Sequence, residues 1–186
     1  MQDVTRENFG LLIAYVLPGF VTLWGVSFFS GTVRHWLGTS SQTSPTVGGF
    51  LYVTVAAVAA GLLVSTIRWM TVDRIHHVTG IPIPSWDFAR LGNSLSAFEL
   101  LVSAHYRFYQ WHANMLVAIA FTFFVYSVVT PLQGLHGIEI AISFTVVEIV
   151  LWFGSRDTLR KYYERTAKLV NGDLERATED SLRLSA

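Results

Sequence analysis

Two stretches of this chain, Phe9 to Phe29 and Val47 to Ile67, each run for 21 residues without a charged side chain. At 1.5 Å per residue such a run covers the roughly 30 Å of a bilayer's hydrocarbon core, where a backbone satisfies its polar groups only as a helix or a closed barrel. Both stretches read as transmembrane helices. The residues ahead of the first (Asp3, Arg6, Glu7) are net negative and no small-x-small cleavage site follows, so it reads as a retained span rather than a secretory signal. Pro18-Gly19 inside it predicts a kink, with the freed carbonyl satisfied by a neighbouring helix or by water.

A third uncharged span, Ala113 to Leu132, is rich in aromatics, and Pro131, Gln133, Gly134 and Gly137 supply a turn after it. The fourth, Leu135 to Phe153, carries His136, Glu139 and Glu148. An acid near the bilayer centre costs ~3 kcal/mol, whereas eleven Leu, Ile, Val and Phe side chains in the same window return about 3 to 7 kcal/mol. Insertion wins, helped by pairing with the third span. The fold class is therefore an all-α integral membrane protein: spans at about 9–29, 47–67, 113–132 and 135–153 make a transmembrane domain over residues 1–154, and 155–186 form a helical tail.

Charge placement fixes an orientation. The chain is 52% hydrophobic and 14% charged, against roughly 25% charged in soluble domains, and its thirteen Lys and Arg balance thirteen Asp and Glu. That balance excludes a strongly basic nucleic-acid binder, and the absence of cysteine excludes a disulfide framework, a thiolate metal site and a thiol nucleophile. With four spans and the amino terminus inside, twelve of the thirteen cations fall on the cytoplasmic side and only Arg34 outside, as the positive-inside rule requires. Both termini are expected to be cytoplasmic, with short outer loops near residues 30–46 and 133–138. Trp69, Trp111 and Trp152 fall at the cytoplasmic span ends, where indoles anchor.

The middle segment, residues 68–112, is too long and aromatic for a simple connector. Its first half continues the second helix as far as Gly80, after which Ile81-Pro-Ile-Pro forces extended chain. Ser96 and Glu99 have capping-box spacing, and the helix they open runs into span three, about 34 residues in all. Past Phe153 the tail is an amphipathic helix with Arg160-Glu164 and Glu164-Lys168 at i,i+4, ended by Asn171-Gly172. Residues 155–170 carry net +3, which attracts an anionic leaflet.

Three sets of residues are candidates for function or assembly. Glu148 is an ionisable group deep in a span, and Tyr15 and Thr122 lie near its depth as hydrogen-bond partners for an ion pathway. A cytoplasmic interface cluster gathers Asp73, Arg74, His76, His77, Asp87, Glu99, His105, Arg107 and His112. His105 and His112 lie two turns apart, too far to share a metal, and no metal-ligand spacing occurs, so neither metal nor cofactor is expected. The basic and aromatic mixture here suits an anionic lipid or cytoplasmic ligand. Ala56, Ala57, Ala60 and Gly61 form a small-residue face for close helix packing. No nucleotide or hydrolase motif is present. The favoured function is an oligomeric ion-conducting or membrane-permeabilising protein with a cytoplasmic gate or sensor. The alternatives are a membrane-embedded enzyme acting on a lipid or polyisoprenoid headgroup, and a non-catalytic anchor or regulatory subunit. The expected partners are the bilayer and further copies of the chain.

Overall fold

A computed structural model describes residues 10, 12–38, 47–89, 91 and 95–171. Among these residues 87% are helical and none is in a strand. We number the helices α1 (Leu12–Ser27), α2 (Gly31–Trp36), α3 (Val47–Met70), α4 (Val72–Val78), α5 (Leu95–Val129) and α6 (Gly134–Val170). Three are long and apolar enough to cross a membrane: α3 with its continuation α4, α5 of 35 residues and α6 of 37. At 1.5 Å per residue α5 and α6 are each over 50 Å long, so each extends well beyond a ~30 Å hydrocarbon core.

Apolar side chains of α3 and α6 point outward. Phe50, Leu51, Val55, Leu62 and Leu63 of α3 are exposed, as are Leu135, Ile138, Ile142, Val146 and Val150 of α6. Only 11% of the most apolar stretch of α6 is buried within the protein. In water such a surface is untenable, and in hydrocarbon it is the ordinary one.

The first apolar stretch forms a shorter helix of 16 residues, α1, lying between α3 and α5. Its first turn, Leu12–Val16, is π-helical and ends two residues before Pro18, the residue expected to disturb it. The small-residue face of α3 meets it there. A Cβ added at Gly61 would enter the Tyr15 carbonyl, and one at Gly19 the Ala57 carbonyl. Ala57 and Gly61 are buried in this crossing, with Ala56 and Ala60 half-buried beside it. The small side chains thus serve a contact within one chain.

The long helices define two ends. One, the crown, holds α2 and the Thr130–Gln133 turn. The other, the base, holds α4, the first turns of α5 and the second half of α6. At the crown, Arg34 donates to the carbonyls of Ser27 (2.9 Å) and Phe28 (3.0 Å), closing the carboxyl end of α1. At the base, a second core gathers Val72, Ile81, Tyr109, Ala113 and Leu159.

Several boundaries differ from the sequence reading. The second helix does reach the Gly80 region, where φ is +104°, but Thr71 interrupts it between α3 and α4. α5 has already begun at Leu95, so Ser96 lies inside the first turn and does not cap it. A π-helical turn, Val102–Tyr106, then shifts the register of the predicted stripe. Gly137 is buried inside α6 rather than in the preceding turn. There is no break between span four and tail, because Gly154 sits within the continuous helix and lets His112 approach its backbone. The tail's ion pair is Lys161 with Asp157 at 2.6 Å, not the expected pairs through Glu164. Residues 172–186 lie outside the described residues, and Asn171 caps α6 as predicted.

Candidate functional site

Polar chemistry in the interior is concentrated in two places, the level of the Pro18 disturbance and the base. Proline has no N–H, so the carbonyl four residues earlier, that of Ala14, loses its helical donor. Asn114 of α5 replaces it: its Nδ2 donates to the Ala14 oxygen at 2.6 Å, and the side chain is wholly buried. One turn along α5, the Gln110 amide donates to the Tyr15 hydroxyl at 3.0 Å. Neither Asn114 nor Gln110 was singled out by the sequence. The signal was available, since a proline inside one span asks for a side-chain donor at the same depth in a neighbour, and Asn114 is one of few amides placed to give it.

At the base, Asp73 of α4 sits between two partners. The Tyr109 hydroxyl donates to its Oδ1 at 2.5 Å, and Arg68 Nε lies 3.5 Å from the same oxygen. The Arg68 guanidinium, 4% exposed as a residue, also rests over the Tyr109 ring, 5.3 Å from the centroid. Burial and the adjacent Asp73 carboxylate push the Tyr109 phenol well above its ordinary range, so it remains a donor. One turn further, His76 Nε2 meets the Ser155 hydroxyl of α6 at 2.9 Å, and the imidazole lies tilted against Trp152 with centroids 4.5 Å apart. Burial, reinforced by the Arg156 charge, pushes His76 down to about 4 and keeps it neutral. Arg156 donates to the Thr79 hydroxyl (2.7 Å) and carbonyl (2.5 Å), tying the end of α4 to α6. Trp152 is half-buried against His76, whereas Trp69 is exposed.

The rest of the predicted cluster is dispersed. His77 bonds the Ile81 carbonyl (2.8 Å) and stacks on Tyr163. His105 meets Arg165 at 2.6 Å, whereas His112 bonds the Phe108 carbonyl and lies against Gly154. The two histidines thus reach α6 at positions eleven residues apart, about 16 Å along its axis. Arg74 and Glu99 are exposed, the Arg107 stem packs at Gly10, and Asp87 accepts from the Ala89 amide. Among the described residues no group of three His, Asp or Glu is placed to hold a metal ion.

Glu148 lies elsewhere, on the seam of α6 that faces α5. That seam runs through buried Gly137, Leu151, Ser155 and Leu159, with Phe144 stacked on Phe123 at 3.9 Å between centroids. Glu148 Oε1 is buried and has no hydrogen-bond partner. The partners expected from depth do not reach it. Tyr15 is engaged by Gln110, and the Thr122 hydroxyl lies 2.9 Å from the carbonyls of both Val21 and Ala118. Those two side chains are engaged at the α1–α5 contact, while Glu148 lies on the α5–α6 seam. Equal depth brought the residues level without bringing them together.

Near the crown, α6 rests on α5 and stands away from α1. A groove of about 690 Å³ opens between them, lined mainly by apolar side chains, with His136 and Glu139 among its few polar ones. Fold and site together define a membrane protein, all-helical among the described residues, with a polar base and a long last helix whose crown end stands away from α1. No protein-family model, curated protein or solved structure matches the chain.

Proposed function

We propose that the chain spans the membrane four times with both termini cytoplasmic, and that as a homo-oligomer it conducts ions or permeabilises the bilayer. Support for the fourth span comes from α1, which lies between α3 and α5, so that hydrocarbon surrounding those two surrounds it as well. Support for the orientation comes from charge: among the described residues every Lys and Arg except Arg34 belongs to the base. The base is then cytoplasmic, and its basic helix faces an anionic leaflet.

The observation that carries the conducting role is the Glu148 carboxyl oxygen, buried on a membrane helix without a donor. A carboxyl retained for structure is normally given hydrogen-bond partners, because an unsatisfied buried acceptor costs about 1–3 kcal/mol. One left open can receive a proton or cation and release it. The broad unburied face of α6 supplies the surface on which copies would assemble, and the cross-tied base would serve as the gate.

The competing enzyme reading draws on the Ser155–His76 contact and Asp73. Asp73 is engaged by Tyr109 and Arg68 and His76 Nε2 by Ser155, the second His76 nitrogen having no partner, and Ser155 and His76 are both fully buried. A headgroup has no open carboxylate to meet there, which favours a structural base. The test is ion or proton flux into vesicles containing the purified chain. Wild type is expected to dissipate an imposed gradient, and Glu148→Gln to slow it at least ~10-fold, equivalent to ~1.4 kcal/mol in the barrier. Equal flux from both proteins, or none above empty vesicles, ends this reading.

A further inference from the structure

The groove between α1 and α6 has dimensions and polarity that identify an occupant. Its lining along α6 runs from His136 to Val147, eleven residues or about 16 Å. One leaflet contributes half of a ~30 Å hydrocarbon core, so the groove is one leaflet deep. Its volume of about 690 Å³ lies within the ~300–1,000 Å³ of sites that enclose small ligands. Its narrow, mainly apolar lining over the length of one leaflet suits an extended hydrocarbon chain.

The polar end is equally particular. His136 Nδ1 and Glu139 Oε2 are 3.7 Å apart, both side chains are largely exposed, and both line the groove. They lie in the first two turns of α6, at headgroup depth, while Trp24, Phe123, Phe144 and Val147 keep the deeper part apolar. A donor and an acceptor side by side match a headgroup that carries both signs.

We propose that this groove, which the orientation proposed above places in the outer leaflet, binds one phospholipid whose headgroup bears an ammonium and a phosphate, one of its two acyl chains lying between α1 and α6 and the other in the surrounding bilayer. Glu139 accepts from the ammonium, the His136 imidazole donates to the phosphate, and the chain closes the gap that α6 leaves beside α1. This assignment is independent of ion conduction, because Glu148 is not among the groove's lining residues.

Native mass spectrometry of the detergent-solubilised protein tests it, after incubation with phosphatidylethanolamine or with phosphatidylglycerol of the same acyl composition. The expected result is one ethanolamine lipid per chain, retained at least tenfold better than the glycerol lipid. Glu139→Gln should erase that preference while the acyl chain still binds, and Ile140→Trp, which fills the groove, should abolish retention of both lipids. Ser143→Trp provides a second filling variant should Ile140→Trp fold poorly. Glu148→Gln should retain the lipid as wild type does, so a failure of the conducting role leaves this result standing. Equal retention of the two headgroups, or retention unchanged by both filling variants, overturns the proposal. So does a second copy in the groove: the chain lacks cysteine, so Ile140→Cys introduces a single thiol whose efficient disulfide dimerisation in vesicles would reveal it.

Discussion

The crossing of α1 with α3 and α5 and the crown half of α6 are both apolar helix contacts, yet they are built differently. At the crossing, backbones approach to the limit that Gly19 and Gly61 permit, and two amide side chains of α5 hydrogen-bond to α1. In the crown half, α6 touches α5 through the Phe123–Phe144 stack and leaves a groove toward α1. In hydrocarbon no hydrophobic force drives helices together, so firmness comes from close packing and hydrogen bonds. The first region has both, and the second has little of either. The contrast predicts rigidity at α1–α3–α5 and freedom to move at the crown of α6.

The severest test of that contrast is Gly61→Val. The added carbons would occupy the Tyr15 carbonyl, and neither backbone can withdraw without separating the Gly19–Ala57 contact. Overpacking of this kind costs about 3 kcal/mol or more when backbone must shift. The variant is expected to lose its monodisperse peak in size-exclusion chromatography or to melt far below wild type. Wild-type melting would show the crossing to be soft.

Asn114→Leu should follow, with a loss of about 1–3 kcal/mol in thermal unfolding, because it keeps the side-chain volume and removes the donor to Ala14. Pro18→Ala in the same background restores a backbone donor and should recover part of that loss. Absence of recovery would mean that Asn114 matters for packing and not for the carbonyl that proline frees.

The extent to which this architecture could be read in advance depended on the kind of signal. Long uncharged runs and Gly80 are local features, and they placed the helices and the end of α4 within a few residues. The carbonyl that Pro18 leaves without a helical donor was legible for the same reason, since the missing N–H is a property of one residue. Pairings were not. Glu148 and Tyr15 share a depth but belong to different helix faces, and rotation about a helix axis leaves only a weak trace in a segment apolar all round. The π turn at Val102–Tyr106 shifted the His105 and His112 register without any glycine or proline to announce it. Asp73 and Tyr109 are 36 residues apart, so their contact emerges only when α4 folds back beside α5.

A smaller effect distinguishes the base from both regions. His76 is held at about 4 by burial and by the Arg156 charge, with Asp73 opposing and His77 lowering it slightly further. Since the unfolded chain takes up this proton near the ordinary value of 6.5, it binds more protons than the folded chain at intermediate pH. Stability from this group is therefore complete above about pH 6.5 and declines as pH falls toward 4. Melting temperature measured across that window should drop in wild type, and the slope should flatten in His76→Gln. An unchanged slope would assign the acid sensitivity to carboxylates elsewhere.

The mildest expected change is Phe144→Ala, at the ring stack that holds the crown half of α6. A buried phenylalanine in a tightly filled core ordinarily costs 3–5 kcal/mol when truncated. Here the ring lines an open groove, so hydrocarbon can enter the vacated space, and the remaining loss is mainly the stack itself, about 0.5–1.5 kcal/mol. The informative readout is local. Hydrogen exchange should accelerate in α6 between Ile138 and Val147 while the amides of the α1–α3 crossing keep their protection. A spread of faster exchange into α1 would show that the two regions unfold as one unit, and the division between a rigid crossing and a movable crown would fail.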